Sequence, residues 1–199
     1  MDGDKTQPLN RDQILDATLE VLRRHGPEKT GVVDVARALG MSHGSIYRHF
    51  KSKEALFDAV AERWLEAVSS PLAAIAESRR APEARLRLWF ETLVRFKRKK
   101  VLEDPELFAV YHAVAQAAHG VVQKHVATLR GHLAQILADG AAKGEFKVTR
   151  PEVAAVVVFD ATMRFHHPAF VAENSGPDAD RQLTLSLDLM IAGLKAGVV

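Results

Sequence analysis

Apolar residues recur along this chain at intervals of three and four, and no stretch alternates apolar with polar positions. That pattern predicts helices throughout and an all-α fold. In the first periodic segment Ile14, Ala17, Leu19, Val21 and Leu22 supply an apolar face. Asn10 is placed to cap it, Gln13 to complete a capping box, and Leu9 with Ile14 to close a hydrophobic staple around the cap. Gly26 is expected to stop this helix. Two short segments follow, residues 32–39 and 43–49, separated by Gly40-Met41-Ser42, and Ser42 is a favourable N-cap for the second. Ser52 caps a longer helix that meets Pro71, where a missing backbone donor predicts a kink. Further helices are expected from Pro82, from Asp104-Pro105, near Gly120, from Pro151 and near Asp178; proline suits a first helical position. Gly144 reads as a helix C-cap, and residues 167–178 as the longest loop.

Composition narrows the function classes. The 199 residues carry a net charge of only +2, so any anion-binding role must come from local placement of cations. With no cysteine, disulfides, thiol catalysis and cysteine zinc sites are excluded. The polar, acidic start "MDGDKTQPLN" has none of the features of a signal peptide. The longest apolar stretch is interrupted by Asp160 and is too short to span a bilayer. A cytoplasmic protein without membrane association is expected. Among the histidines, His112, His119, His125 and His132 are spaced by seven, six and seven. On one helix a seven-residue step is about 10.5 Å of rise, too far for two of them to share a metal. No metal and no cofactor are expected. No nucleophile–base pair, phosphate-cradling glycine loop or zinc motif is recognisable, so the chain does not read as an enzyme. A carboxylate site that converges only in the fold keeps an enzyme open as the less favoured alternative.

The chemistry concentrates in "GMSHGSIYRHFKSKEAL", residues 40–56, which holds three Lys/Arg, two His and three Ser before its first acid, Glu54. Two short helices joined by a glycine turn make a helix-turn-helix candidate. Ala36, Leu39, Ile46 and Phe50 can pack it against the first helix, which leaves His43, Ser45, Tyr47, Arg48 and His49 over the rest of the second. Small, polar and cationic residues at the start of a helix suit entry into a DNA major groove. Gly44 removes a side chain there and permits close backbone approach. Lys51 and Lys53 flank the start of the next helix, whose amides also favour an anion.

Residues 10–66 resemble the DNA-binding domain of the TetR family of bacterial transcriptional regulators. The resemblance is carried by Val35-Ala36, Gly40-Met41-Ser42, Gly44, Ser45, Ile46, Tyr47, His49, Phe50, Lys51, Ser52, Lys53, Glu54 and Leu56. It implies an all-helical homodimer with a three-helix DNA-binding domain at residues 8–56, its motif about 31–50. A larger helical ligand-binding and dimerisation domain would follow at 57–199. It implies a repressor that reads a palindromic operator in double-stranded DNA and is released by a small-molecule effector; a ligand-independent DNA-binding protein is the alternative. By position, Tyr47, His49 and Lys53 would hold phosphates, with Ser42, Gly44 and Lys51 close by, while His43, Ser45 and Arg48 would face bases. The family often has Ser or Thr where Gly31 stands, so neighbouring Thr30 is the expected source of that hydroxyl. At Val33, often polar in the family, no hydrogen bond to the groove is possible.

The remainder is less specific. Trp64, Trp89, Phe96, Tyr111, His112 and Phe159 are candidate lining for an effector pocket. Residues 153–168 are apolar nearly all round, which predicts burial on both sides and an oligomer interface. Asp160 and Arg164, four apart in the favourable order, would pair there to fix dimer register. Residues 95–100, "RFKRKK", read as a solvated cationic face at a helix end. The sequence names neither effector nor operator, nor repression over activation.

Overall fold

The structure, a computed structural model, describes residues 10–197. Leu9 and the rest of the leader lie outside the described residues, and so does the staple expected of it. The first helix, α1 (Arg11–Lys29), opens on the predicted capping box: the Gln13 amide donates to Asn10 Oδ1 at 2.8 Å, and the Asn10 amide to Gln13 Oε1 at 3.0 Å. Gly26 breaks it at φ +72°, a left-handed conformation that glycine adopts without the Cβ penalty. There follow α2 (Val32–Ala38), α3 (His43–Tyr47), α4 (Lys53–Ala76), α5 (Pro82–Glu103), α6 (Pro105–Ala117), α7 (His119–Ala142), α8 (Pro151–Ala161), α9 (Met163–His166) and α10 (Pro177–Ala196). The described residues contain no strand.

Prolines open α5, α6, α8 and α10, as their fixed φ and missing donor suit a first turn. Pro71 does not interrupt α4. Pro71 and Ala67, one turn back, are both exposed, so the lost backbone bond falls on the wet side of the helix.

Two compact units can be distinguished. The first takes the described residues up to Trp64 together with Glu106–Val122; the second takes Leu65–Pro105 and the described residues from Gln123 onward. In the first, Ile14, Leu22, Val35, Ile46, Leu56 and Ala61 are fully buried, and Val114 and Ala118 of the α6 segment close the same core. In the second, Trp89, Phe90, Leu86 and Leu93 of α5 pack with Leu133, Ile136 and Leu137 of α7 and with Phe159, Phe165, Leu187 and Ile191. Arg85, only 2% exposed, ties the α4–α5 turn together by donating to the Ala76 carbonyl at 2.6 Å and to Asp139 at 2.8 Å. Glu83, Arg87, Asp188 and Lys195 form an ion-pair network joining α5 to α10.

Within the chain the apolar run 153–168 covers one side only: Ala154, Ala155, Val158 and Phe159 are buried, whereas Val153, Val156, Val157 and Met163 are exposed. The structure corrects two expectations in the second unit. Asp160 and Arg164 do not pair. The helix ends at Ala161 and Thr162 leaves helical geometry, so the two no longer share a helical face. Asp160 instead accepts from Arg130 at 2.7 Å, and Arg164 donates to Asn174 at 2.7 Å. Nor is "RFKRKK" uniformly solvated: Lys97 is buried and Arg98 pairs with Asp180.

Candidate nucleic-acid interface

The helix-turn-helix is built on Gly40. After α2 the chain turns at φ +66°, with the Gly40 amide donating to the Arg37 carbonyl at 3.1 Å and the Met41 amide to Ala36 at 2.9 Å. These two bonds form a Schellman closure, which requires a left-handed residue at that point. At the other end of α2 the Gly31 amide donates to Asp34 Oδ2 at 2.9 Å, the half of a capping box that needs no side chain at the N-cap. The turn delivers α3, whose Ile46 and the following Phe50 sink fully into the core one helical turn apart. That anchoring dictates what faces outward: His43, Gly44, Tyr47, Arg48 and Lys51 are exposed, and His49 is half-buried. Tyr47 is 46% exposed and meets His43 edge-on, with ring centroids 6.4 Å apart.

Several predicted contacts are placed differently from expectation. Ser45 is buried; its hydroxyl lies 3.1 Å from Ser42 Oγ and accepts from Arg48 Nη2 at 3.3 Å. It therefore positions Arg48 from beneath instead of facing bases. The Ser42 hydroxyl is committed to Ser45 and forms no side-chain cap. Thr30 cannot supply the hydroxyl missing at Gly31. It is 1% exposed and donates inward to the Gly26 carbonyl at 2.7 Å. Lys53 is half-buried, donates to the Pro27 carbonyl at 3.2 Å and lies over the Phe57 ring at 5.1 Å. An ammonium has three N–H groups, so this anchoring leaves donors for a phosphate. At the start of α4 the Ala55 amide is taken by Ser52 Oγ at 3.1 Å. The Glu54 carboxyl is held below its ordinary range by its own backbone amide and then by Ser52. Val33 is 55% exposed beside the turn, an apolar side chain available to a thymine methyl.

The six candidate pocket residues divide between the units. In the first, Trp64 stacks on Tyr111 at 4.8 Å and meets Phe108 edge-on, and Phe108 in turn stacks with His112 at 6.4 Å. Burial raises the Tyr111 phenol above its ordinary range. In the second, Trp89 is fully buried, meeting Phe159 at 6.5 Å and His132 at 6.4 Å, and Phe96 lies at the core margin beneath Lys100. Sequence reasoning missed Lys97 as a core residue, since nothing local distinguishes it from the cations around it. No cluster of three metal-ligating side chains occurs among the described residues.

Comparison with known proteins supports this architecture. Residues 14–60 match the family described as bacterial regulatory proteins, tetR family, and residues 82–185 match the tetracyclin repressor-like C-terminal domain. The chain is 34% identical over 85 residues to the HTH-type transcriptional regulator BetI of Pectobacterium carotovorum subsp. carotovorum (strain PC1). That match takes in 41% of this chain and 43% of the relative, so the chain spans less than half the length of that curated relative. Among solved structures it is similar to SmeT, the repressor of the Stenotrophomonas maltophilia multidrug efflux pump SmeDEF. The TM-score is 0.66 at 21% identity, over 93% of this chain and 90% of that one. It is also similar to FadR from Bacillus subtilis, solved in complex with stearoyl-CoA. There the TM-score is 0.62 at 19% identity, over 92% and 99% of the two chains. One matched segment spans the helix-turn-helix and the other slightly more than half of the whole sequence, and on that footing the chain belongs to the TetR family of bacterial regulatory proteins.

Proposed function

We propose that this protein is a homodimeric, cytoplasmic transcriptional repressor, not an enzyme, that binds a palindromic operator through α3 and is released by a small molecule held in the second unit. The observation that carries the reading is the outward face of α3: His43, Tyr47 and Arg48 stand exposed on a helix whose opposite side is locked into the core by Ile46. Arg48, held by Ser45, reads a base edge with its remaining guanidinium donors, and His43 at the helix start reads a second. Tyr47, His49, Lys51 and Lys53 hold phosphates, which fix register without carrying sequence information. Dimerisation is supported by the exposed apolar faces of α8 (Val153, Val156, Val157) and α10 (Leu185, Leu189). Unpartnered apolar surface of this kind marks an interaction site. Ligand release is supported by FadR and its stearoyl-CoA complex, and by α4, a continuous helix that begins at Lys53 and ends in the second unit.

Selection of genomic fragments by the purified chain, followed by footprinting, tests the reading. The expected footprint is a palindrome whose half-sites lie about 34–36 Å apart or a multiple of that. Protection of a single half-site by one monomer would refute the dimeric operator.

A further inference from the structure

The cations of the first unit divide by how they are held. Arg24 pairs with Glu20 at 3.8 Å, Arg37 with Asp34 at 3.1 Å and Arg63 with Asp16 at 2.8 Å, so each of these charges is balanced within the protein. Three others are held by neutral groups. Arg48 donates to the Ser45 hydroxyl, and Lys53 rests on the Pro27 carbonyl and the Phe57 ring. The third is Arg11, at the start of α1, whose guanidinium carbon lies 4.4 Å over the centroid of the Phe50 ring. A hydroxyl, a carbonyl or a ring holds a cation without neutralising it. Two of these three side chains, Arg48 and Lys53, already stand among the DNA contacts; Arg11 is built in the same way.

Arg11 is fixed from two directions. Its backbone belongs to the first turn of α1, which the Asn10–Gln13 capping box closes. Three and four residues on, Ile14 and Leu15 are buried, so exposed Arg11 stands at the edge of the face that α1 turns to the core. Phe50 is itself buried and tied to the end of α3, its amide donating to the Ile46 carbonyl at 3.0 Å. The ring thereby holds the Arg11 guanidinium at the C-terminal edge of the recognition helix, since His49 and exposed Lys51 are the chain neighbours of Phe50. It attracts the cation without taking up its five N–H donors as a carboxylate would. A recognition helix in the major groove has a phosphate backbone along each wall, and that is the chemistry this edge meets.

We infer that Arg11, held over Phe50, binds an operator phosphate, which brings the start of α1 to the DNA alongside α3 and the start of α4. The inference rests on the operator-binding reading and adds to it a contact from outside the helix-turn-helix. Arg11 donates to the phosphate in charge-assisted bonds, and its planar fork can meet two oxygens at once. Lysine offers only a point charge at the same place. As a backbone contact Arg11 fixes register and affinity and carries no sequence information.

The test titrates the selected operator and random duplex with the full chain, Arg11→Met and Arg11→Lys over a series of salt concentrations. Methionine covers the Phe50 ring without a charge, so a merely structural lid would survive that change. Arg11→Met is expected to reduce the salt slope by about 0.9 per protomer and to weaken operator and random DNA alike, about fivefold per protomer at about 0.15 M salt. Arg11→Lys should keep the slope and bind with intermediate affinity. An unaltered slope in Arg11→Met overturns the inference, and so does an altered base preference. Methylphosphonate linkages, each of which neutralises one operator phosphate, give a second measurement. One linkage per half-site should weaken the unmodified chain, cost Arg11→Lys less and leave Arg11→Met indifferent. Identical profiles for the unmodified chain and Arg11→Lys overturn the contact even where the methionine variant does not fold. A chain that binds no duplex refutes the operator-binding reading itself. Operator binding that ignores Arg11 refutes this contact and leaves that reading intact.

Discussion

His125 and His166 give the second unit a defined acid weakness. In the unfolded chain each takes up a proton near pH 6.5. In the folded chain burial first, then the neighbouring Lys97 charge, drives His125 down to about 3, while burial drives His166 to about 4 despite the opposing Phe159 carbonyl. Between those limits the unfolded state binds more protons than the folded state, so stability is full above pH 6.5 and falls as pH drops below it. Each group loses about 1.4 kcal/mol per pH unit once the unfolded form is protonated. At about pH 5 the two together should have removed about 4 kcal/mol, a large part of a typical total of about 5–15. His132, also lowered by burial though opposed by Glu77 and Glu66, adds in the same direction. Glu83, held low by Lys195 and then Arg87, loses its contribution only as pH falls through the carboxylate range, beneath this window. Urea unfolding followed by circular dichroism at steps from pH 7 to pH 5 measures the slope. His125→Leu removes one titrating group and should cut it by about half. An identical slope in the variant means that His125 takes up its proton in the folded protein as readily as in the unfolded one, and the reasoning fails.

Lys53→Ala should weaken binding to operator and random DNA alike and reduce the salt slope by about 0.9, because a phosphate contact carries no sequence information. Arg48→Ala or His43→Ala should instead alter which operator base is preferred in a selection on randomised sites; unaltered preferences would remove both as base readers. Gly140→Ala places a Cβ 2.1 Å from Phe146 Cδ2, inside a buried aromatic, and should lower stability by about 1–3 kcal/mol in urea unfolding. Leu189, 76% exposed on α10, should when changed to Asp shift the sedimentation equilibrium toward monomer with the unfolding midpoint little changed; an unaltered dimer would place the interface elsewhere.

Helix starts were legible because their signals are local: Asn10 and Gln13 cap each other, and prolines stand where four helices begin. The recognition helix was legible for the same reason, since Gly40 and the Ile46–Phe50 spacing jointly decide which side chains face outward. What escaped reading depends on how side chains pack, in part with partners far along the chain. Ser45 reads as a polar groove residue until Ser42 and Arg48 close over it. Asp160 and Arg164 have the spacing of an ion pair, yet the helix ends between them and Arg130, thirty residues earlier, takes the carboxylate. Lys97 is one of five cations in residues 95–100 that look alike in sequence, and only the packing of α5 puts it indoors.

The α6 segment carries a consequence for how such a regulator is cut and recombined. Val114 and Ala118 complete a core otherwise made from the first 61 residues, and Tyr111 covers one face of Trp64. A head severed after α4 would therefore leave a bare apolar slot and a half-uncovered indole. Grafting this recognition specificity onto another sensor requires two pieces of chain, not one. Exchange of this N-terminal fragment alone should succeed only where the recipient brings a segment that fits the same slot, a match set some fifty residues downstream.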